Sequence, residues 1–254
     1  MRVGDLAVGV RVNDGNTLEI VRGVLRPSLV EGVDASPNLS LAIGGQRGRV
    51  RDLHRLYRGS ATVLRAPSLR RLLSATVAHL DAFLPAPEGL LPLVGDLMIG
   101  DGGAVIVRDV FGARPVPDRR LARLGFRQVD VVTPALDIAT LEIVVTPARI
   151  PIDHDALAAI VDRDSAEMSA LTVERRFPVR AIVLLGAKPD SVRITSSARR
   201  LASLAPLVER PHAALRATDL EAVGRLATRT EVIRALGYDT EELPAILADL
   251  AQTA

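Results

Sequence analysis

Residues 90–108 read LLPLVGDLMIGDGGAVIVR and decide the fold class of this protein. Two apolar runs, 90–99 and 104–108, are separated by the glycine-rich turn 100–103. Short apolar runs bounded by turn residues are typical of buried strands. The stretch therefore predicts a hairpin of buried strands in an α/β protein.

Downstream of this hairpin, the pattern alternates between helix and strand. The run 179–187, VRAIVLLGA, is the most hydrophobic of the predicted strands and is expected at the centre of the sheet. Thr218 and Glu221 have the spacing of a capping box, and the C-terminal quarter is predicted to be helical, with a last helix running from Asp239 and Glu242 towards Gln252. The remaining predictions are helices at 118–125, 153–164 and 197–205 and strands at 126–132 and 141–145.

Upstream, the chain predicts a strand-rich layer followed by one helix. Apolar residues from Leu69 to Leu84 recur at three- and four-residue steps after Ser68, which is expected to cap the helix. The Pro85–Gly89 stretch divides residues 1–88, a strand-rich region ending in a helix, from an α/β region at 89–254 with a helical C-terminus. The predicted strands of the first region are 6–12, 17–23, 39–43 and 61–65.

Composition excludes several kinds of chemistry. The chain has 254 residues and no cysteine, so disulfides, thiolate metal sites and cysteine nucleophiles are excluded. The N-terminus lacks the apolar stretch of a signal peptide, and no run approaches the roughly 18 apolar residues of a membrane span. These features predict a cytoplasmic protein. The basic residues are 31 arginines and the single Lys188, a skew typical of a GC-rich, for example actinobacterial, genome.

Residues 90–137 carry a recognisable order of elements. The paired runs 90–98 and 104–107, the Gly102-Gly103 turn, and LARLGF followed by Asp130 resemble the HPr kinase-like family of P-loop proteins, related to phosphoenolpyruvate carboxykinases. The resemblance covers about residues 50–190. It implies a mixed β-sheet flanked by helices, with a phosphate-binding loop between the second strand of the hairpin and a helix.

The segment in the place of that loop departs from the family pattern. A phosphate-binding loop needs G-x-x-x-x-G-K-[ST], because lysine neutralises phosphate and the hydroxyl binds the metal ion. Residues 107–118, VRDVFGARPVPD, keep Gly112 but have Ala113 and Arg114 after it, and two prolines remove amide donors. The family's histidine falls near Val94. The resemblance therefore predicts a degenerate member without ATP chemistry, and no cofactor is expected.

An enzyme with a repurposed site is the alternative. Arg114, Asp118 and Asp130 could together hold a small anionic substrate at the carboxyl ends of the strands. Arginine does not replace lysine in a tight phosphate cradle, which weighs against nucleotide binding there.

Arginines are concentrated between residues 47 and 71. This stretch contains eight arginines, and Asp52 is its only acidic residue. The interaction surface predicted from this run comprises Arg47, Arg49, Arg51, Arg55, Arg58, Arg70 and Arg71. Such a cluster binds an acidic protein or peptide, or nucleic-acid phosphates. Nucleic acid is less favoured because Tyr57 is the sole aromatic nearby. A solvated arginine-rich face is the plain alternative.

The other candidate residues have ordinary explanations. Lys188 precedes Pro189-Asp190 and is expected in a turn. Asp153-His154-Asp155 cannot converge on one ligand, and an aspartate there is expected to cap a helix. No metal-ligand spacing, G-x-S-x-G or G-x-G-x-x-G occurs.

These observations predict a non-catalytic accessory or scaffold protein that binds a protein or peptide in a bacterial biosynthetic or maturation pathway, such as natural-product biosynthesis. No membrane partner is expected, and a homo-oligomer is left open.

Overall fold

A computed structural model describes residues 1–254 except for 4–5, 31–36, 48–49, 52, 67, 82, 110–117, 130–131, 148, 162–173, 187–191, 209–215, 237–240 and 253–254. The contacts divide the chain into two compact units. Unit 1 comprises Met1–Pro85, Asp130–Val132 and Thr146–Glu174, and unit 2 comprises Ala86–Val129, Thr133–Val145 and Arg175–Ala254. The described residues between 146 and 174, which the sequence assigned to the region 89–254, thus belong to unit 1.

The protein is a mixed α/β protein with mixed sheets flanked by helices, as predicted. The strands are β1 (Arg2–Val3), β2 (Leu6–Ala7), β3 (Gly9–Val12), β4 (Pro37–Ala42), β5 (Gln46–Arg47), β6 (Val50–Arg51), β7 (His54–Arg58), β8 (Ala61–Ala66), β9 (Leu90–Pro92), β10 (Asp96–Gly100), β11 (Gly103–Asp109), β12 (Phe126–Val129), β13 (Val132–Asp137), β14 (Glu142–Pro147), β15 (Arg175–Gly186), β16 (Val192–Arg193) and β17 (Glu231–Leu236). The α-helices are α1 (Gly15–Leu25), α2 (Leu69–Asp81), α3 (Asp118–Arg123), α4 (His154–Val161), α5 (Ser197–Leu204), α6 (Ala217–Arg229) and α7 (Glu242–Gln252).

Unit 1 is built on a four-stranded sheet with the order β3-β4-β7-β8. β3 and β4 are parallel and are connected through α1, whereas β4, β7 and β8 follow one another antiparallel. Leu39, Leu41 and Leu56 of this sheet are buried in one core with apolar residues of α1, α2 and α4. The helices of unit 1 therefore cover one face of its sheet.

The predicted strand at 17–23 is wrong, because these residues form the middle of α1. Asp14 caps this helix: its Oδ2 accepts from the backbone nitrogen and from Oγ1 of Thr17, both at 2.7 Å. These hydrogen bonds, that of the hydroxyl first, hold the pKa of Asp14 below its usual range. Thr17, Val21 and Val24 are buried at helical spacing. The Asp14-Gly15 pair is thus a helix start and not a hairpin turn.

The helix predicted after Ser68 is confirmed as α2. Its buried residues include Leu72, Leu73, Val77 and Leu80. The end of α2 is tied to the segment before α4 by Arg149, whose Nη2 lies 2.9 Å from Asp81 Oδ2. Both residues belong to unit 1, so this ion pair joins two distant parts of the chain in one unit.

Unit 2 contains a nine-stranded mixed sheet. β10 and β11 form the predicted hairpin, turning at Asp101-Gly102, and β11 runs parallel to β15. β15 pairs with β11, β14 and β17, so the prediction that the run 179–187 is a central strand is confirmed as far as Gly186, the last described residue of the run. Because β11, β15 and β17 are parallel, their carboxyl ends lie at one edge of the sheet.

Helices α3 and α7 pack on one face of this sheet. Leu121 of α3 and Leu247 of α7 are buried with Val105, Val107 and Val183 of the central strands. The face is apolar because alternate residues of the strands point to it.

Two predictions in the C-terminal quarter are wrong. Residues 231–236 form β17 rather than a helix, because they pair in parallel with β15. Helix α6 begins at Ala217, and its cap carboxylate is that of Asp219, which accepts from the backbone nitrogen of Arg216 at 2.9 Å. Thr218 and Glu221 therefore do not form the cap.

Residues 133–137, outside the predicted strands, belong to β13.

The predictions for 153–164 and for the last helix agree with α4 and α7 where the structure describes them. Asp153 Oδ1 accepts from the backbone nitrogen of Ala156 at 2.9 Å and caps α4, as expected. None of the described helices is long and apolar enough to cross a bilayer.

Candidate functional site

The four-stranded sheet of unit 1 carries charged residues on the face opposite its apolar core. Successive residues of a strand point to opposite faces, so the neighbours of buried Leu41 and Leu56 lie on this second face. The strand register assigns them there independently of their spacing in sequence. We call this surface the open face, and it comprises Arg11, Ser40, Ala42, Arg55, Tyr57, Thr62 and Arg65.

The open face is ordered in two rows that run across the strands. The first row is Arg11, Ser40, Tyr57 and Thr62, paired in that order from β3 to β8. The second row is Ala42, Arg55 and Arg65, from β4 to β8.

Arg55 and Arg65 are therefore direct cross-strand neighbours. The Cβ atoms of such neighbours lie about 4.5–5.5 Å apart, and like charges there are destabilising. Both side chains are exposed, as is that of Arg11.

The open face has no internal counter-charge. β3, β4, β7 and β8 contain no aspartate or glutamate. Among the residues that the structure describes, the side chains of Arg11, Arg55 and Arg65 have no hydrogen-bond or ion-pair partner. By contrast, Arg176 and Arg193, on strands of unit 2, each contact a carboxylate. The four strands thus place three guanidinium groups on the open face and contribute no carboxylate to it.

A two-stranded ribbon extends the β4–β7 hairpin. β5 and β6 pair antiparallel, with Gln46 opposite Arg51, and continue the register of β4 and β7. Its base is fixed by buried His54, whose Nδ1 accepts from the backbone nitrogen of Gly44 at 3.1 Å. Asn13 adds a second tie, because its Oδ1 accepts from the backbone nitrogen of Ile43 at 2.7 Å.

The structure distributes the predicted arginine surface among several places. Arg55 lies on the open face, and Arg58 is exposed at the end of β7 on the other side of the strand. Arg70 and Arg71 begin α2, which packs against the covered face, and each already interacts with another group. Arg47 and Arg51 lie on the ribbon and are described by their backbone alone, and Arg49 lies outside the described residues.

Arg11 is the residue that sequence reasoning missed, and Arg65 was counted in the cluster but left out of the predicted surface. Arg11 belongs to the open face because β3 pairs in parallel with β4. The alternation of Val10, Arg11 and Val12 indicated a strand with the arginine on the opposite face from the two valines. No local signal identified β4 as the neighbour of β3.

The predicted anion site falls mostly outside the described residues. Arg114 and Asp130 lie outside them, and Asp118 is described only as the first residue of α3. Lys188 lies outside them too.

One described arginine that follows that segment, Arg120, is already paired with a carboxylate. Nη1 and Nη2 of Arg120, in α3, lie 3.0 and 2.5 Å from the two carboxylate oxygens of Glu241, before α7. The hydrogen bond from Arg120 holds the pKa of Glu241 below its usual range. The Arg120 guanidinium is therefore paired with a carboxylate of the protein and is not a free cation for an anionic ligand.

Metal chemistry has no support in the described residues. They contain no group of three or more histidine and carboxylate side chains placed to hold a metal ion.

Comparisons with known proteins add no relative. No family model matches this sequence, no curated protein matches it, and no solved structure matches it. The open face is therefore interpreted from its own chemistry. Exposed guanidinium groups on a fixed scaffold can bind carboxylates or phosphates through paired hydrogen bonds, and they offer no general base or nucleophile.

Proposed function

We propose that this protein is a non-catalytic binding protein that recognises an acidic protein or peptide segment through the open face. The observation that carries this proposal is the placement of Arg11, Arg55 and Arg65 on one sheet face without a carboxylate. Guanidinium groups recognise carboxylates in a bidentate geometry, and their spacing is fixed here by the strands.

The arrangement of Arg55 and Arg65 favours a ligand over a plain solvated surface. Two arginines directly opposite one another lower the stability of the sheet. A bound carboxylate between them replaces that repulsion by two attractions. Binding of a carboxylate therefore relieves the repulsion between Arg55 and Arg65 that destabilises the free protein.

A protein or peptide is favoured over a nucleic acid. Single-strand binding proteins stack successive bases on several aromatic side chains. The open face has Tyr57 alone, and this side chain is half-buried. A carboxylate ligand requires no such stacking platform.

The second unit supports the absence of catalysis. In the proposed resemblance to HPr kinase-like proteins, the order of β10, β11 and α3 corresponds to the strands and helix that bracket the phosphate-binding loop. The intervening sequence lacks the lysine and the hydroxyl of that loop, and Arg120 is engaged by Glu241. We propose a degenerate HPr kinase-like accessory or scaffold protein in a bacterial biosynthetic or maturation pathway.

Fluorescence anisotropy with a labelled peptide of four Glu-Thr repeats tests the binding proposal. We expect binding at low salt that weakens as salt screens the charges. The double variant Arg55→Glu/Arg65→Glu should bind at least about tenfold more weakly, since two exposed charge pairs are reversed. The matched control is Arg127→Glu/Arg199→Glu, which changes the charge equally on exposed residues of unit 2 and should bind as the native protein does.

Three results contradict the proposal. The peptide does not bind, the two double variants bind alike, or a single-stranded oligothymidine of equal charge binds more tightly than the peptide. Hydrolysis of ATP that is abolished by Asp130→Ala would refute the absence of catalysis.

A further inference from the structure

Strand β8 is an edge of the four-stranded sheet. It pairs with β7 on one side and with no described strand on the other. Ala61, Thr62 and Val63 are exposed, and Val63 keeps 36% of its surface accessible. Apart from the ladder to β7, no hydrogen bond of residues 61–66 to another described residue is present. An edge strand directs alternate amide and carbonyl groups away from the sheet, where an extended chain can pair with them.

We propose that the acidic ligand binds as a fifth strand along β8, with its carboxylates over the open face. This inference rests on the proposed function and specifies its geometry. The occupant is an extended peptide with acidic residues at alternate positions, because alternate side chains of an added strand fall on one face of the sheet.

The second row of the open face leads to this edge. The row runs from Ala42 through Arg55 to Arg65, and the next position across the sheet belongs to the added strand. A residue there is the direct cross-strand neighbour of Arg65, with Arg55 one strand further. A glutamate in this position lies beside two guanidinium groups, and the strands of the sheet contribute no carboxylate there.

The same edge disfavours a second copy of this protein. β8 carries Arg65 and no acidic residue, so a second β8 strand would add another arginine to this edge and no counter-charge.

Backbone methylation of the ligand tests the edge. Two peptides of four Glu-Thr repeats are compared by anisotropy with the native protein, one N-methylated at every glutamate and the other at every threonine. Only one set of amides points to β8, so one peptide should lose binding at least tenfold. The other should bind within about threefold of the unmethylated peptide. A peptide with four consecutive glutamates followed by four threonines has the same charge and should bind more weakly than the alternating one.

Amide hydrogen exchange of the protein tests whether the peptide binds along β8. With the alternating peptide bound, exchange at residues 61–66 should slow, whereas exchange at β3, the other edge, should not change. Equal affinities of the two methylated peptides, or unchanged exchange in β8, overturn the fifth-strand geometry. If the fifth-strand geometry is overturned but the double variant Arg55→Glu/Arg65→Glu still binds the acidic peptide more weakly than the native protein, the proposed function stands. Absence of binding by every acidic peptide overturns both.

Discussion

Truncation of Asp81 is expected to destabilise unit 1 strongly. The Asp81 side chain is 3% exposed, and its partner Arg149 is 26% exposed. Oδ1 accepts from the backbone nitrogen of Arg149 at 2.7 Å, and Oδ2 accepts from Nη2 at 2.9 Å and from Nε at 3.2 Å. Arg149 also donates to the backbone oxygens of Asp81 and Pro85 at the end of α2. One residue pair thus fixes the end of a helix to a distant segment.

The magnitude follows from this geometry. Removing one partner of a buried ion pair costs about 3–5 kcal/mol, because the remaining charge stays buried without compensation. The Arg149 guanidinium reaches solvent in part, so Asp81→Ala is expected at the lower end, about 3 kcal/mol. Asp81→Asn keeps an acceptor for the Arg149 amide but turns an N–H towards the guanidinium. We expect it to cost about 2 kcal/mol.

Urea denaturation followed by far-ultraviolet circular dichroism measures the loss in the full chain. Because the chain has two compact units, amide exchange in α2 is read in parallel as the local free energy of unit 1. Glu88→Ala truncates an exposed carboxylate and should change stability by less than about 0.5 kcal/mol. A loss below about 1 kcal/mol for Asp81→Ala would refute the argument, as would additivity with Arg149→Ala within about 0.5 kcal/mol.

Arg65→Glu replaces a like-charge cross-strand pair by an opposite-charge pair, so it should raise the free energy of unfolding by about 0.2–1 kcal/mol while acidic-peptide binding falls. A loss of stability in urea denaturation contradicts this. The backbone hydrogen bond from Thr140, with further bonds and the charge of a nearby arginine, holds the pKa of Asp137 below its usual range. Its stabilisation is therefore present above about pH 4 and lost as the pH falls through the lowered pKa, and Asp137→Asn should flatten the stability profile in that acid range. Gly103 has φ +120°, and an added Cβ would lie 2.5 Å from a backbone oxygen, so Gly103→Ala should cost at least about 1–3 kcal/mol in thermal or urea unfolding. Gly224→Ala, in open space within α6, should instead stabilise by about 0.5–1 kcal/mol.

The elements that sequence reasoning predicted correctly have strong local patterns. The stripe of α2 and the apolar runs around the Asp101-Gly102 turn need no distant partner to be recognised. The errors arose where two local patterns compete. Asp14-Gly15 suits a hairpin turn as well as a helix start, and the burial of Val21 and Val24 against distant residues decides for the helix.

The strand β17 shows a different limit. Residues 231–236 lie between two helices and carry no strong turn signal, so the sequence predicted continued helix. Their backbone groups pair with β15, which lies far away in the chain. Long-range pairing of this kind overrides local preference, because the edge of a buried strand must have its hydrogen bonds satisfied.

The chemistry that this protein lacks was determined by the sequence alone. A chain without cysteine has no thiolate, and a chain whose single lysine precedes proline has no standard phosphate-binding loop. The tertiary structure alone decided which arginines act together. Arg70 and Arg71 are close to Arg65 in sequence but begin a helix on the covered side, whereas the distant Arg11 joins Arg55 and Arg65 on the open face. The reason is that strand pairing determines which strands are neighbours, and the pleat determines the face on which each side chain lies. A cluster of charges along the sequence contains neither kind of information.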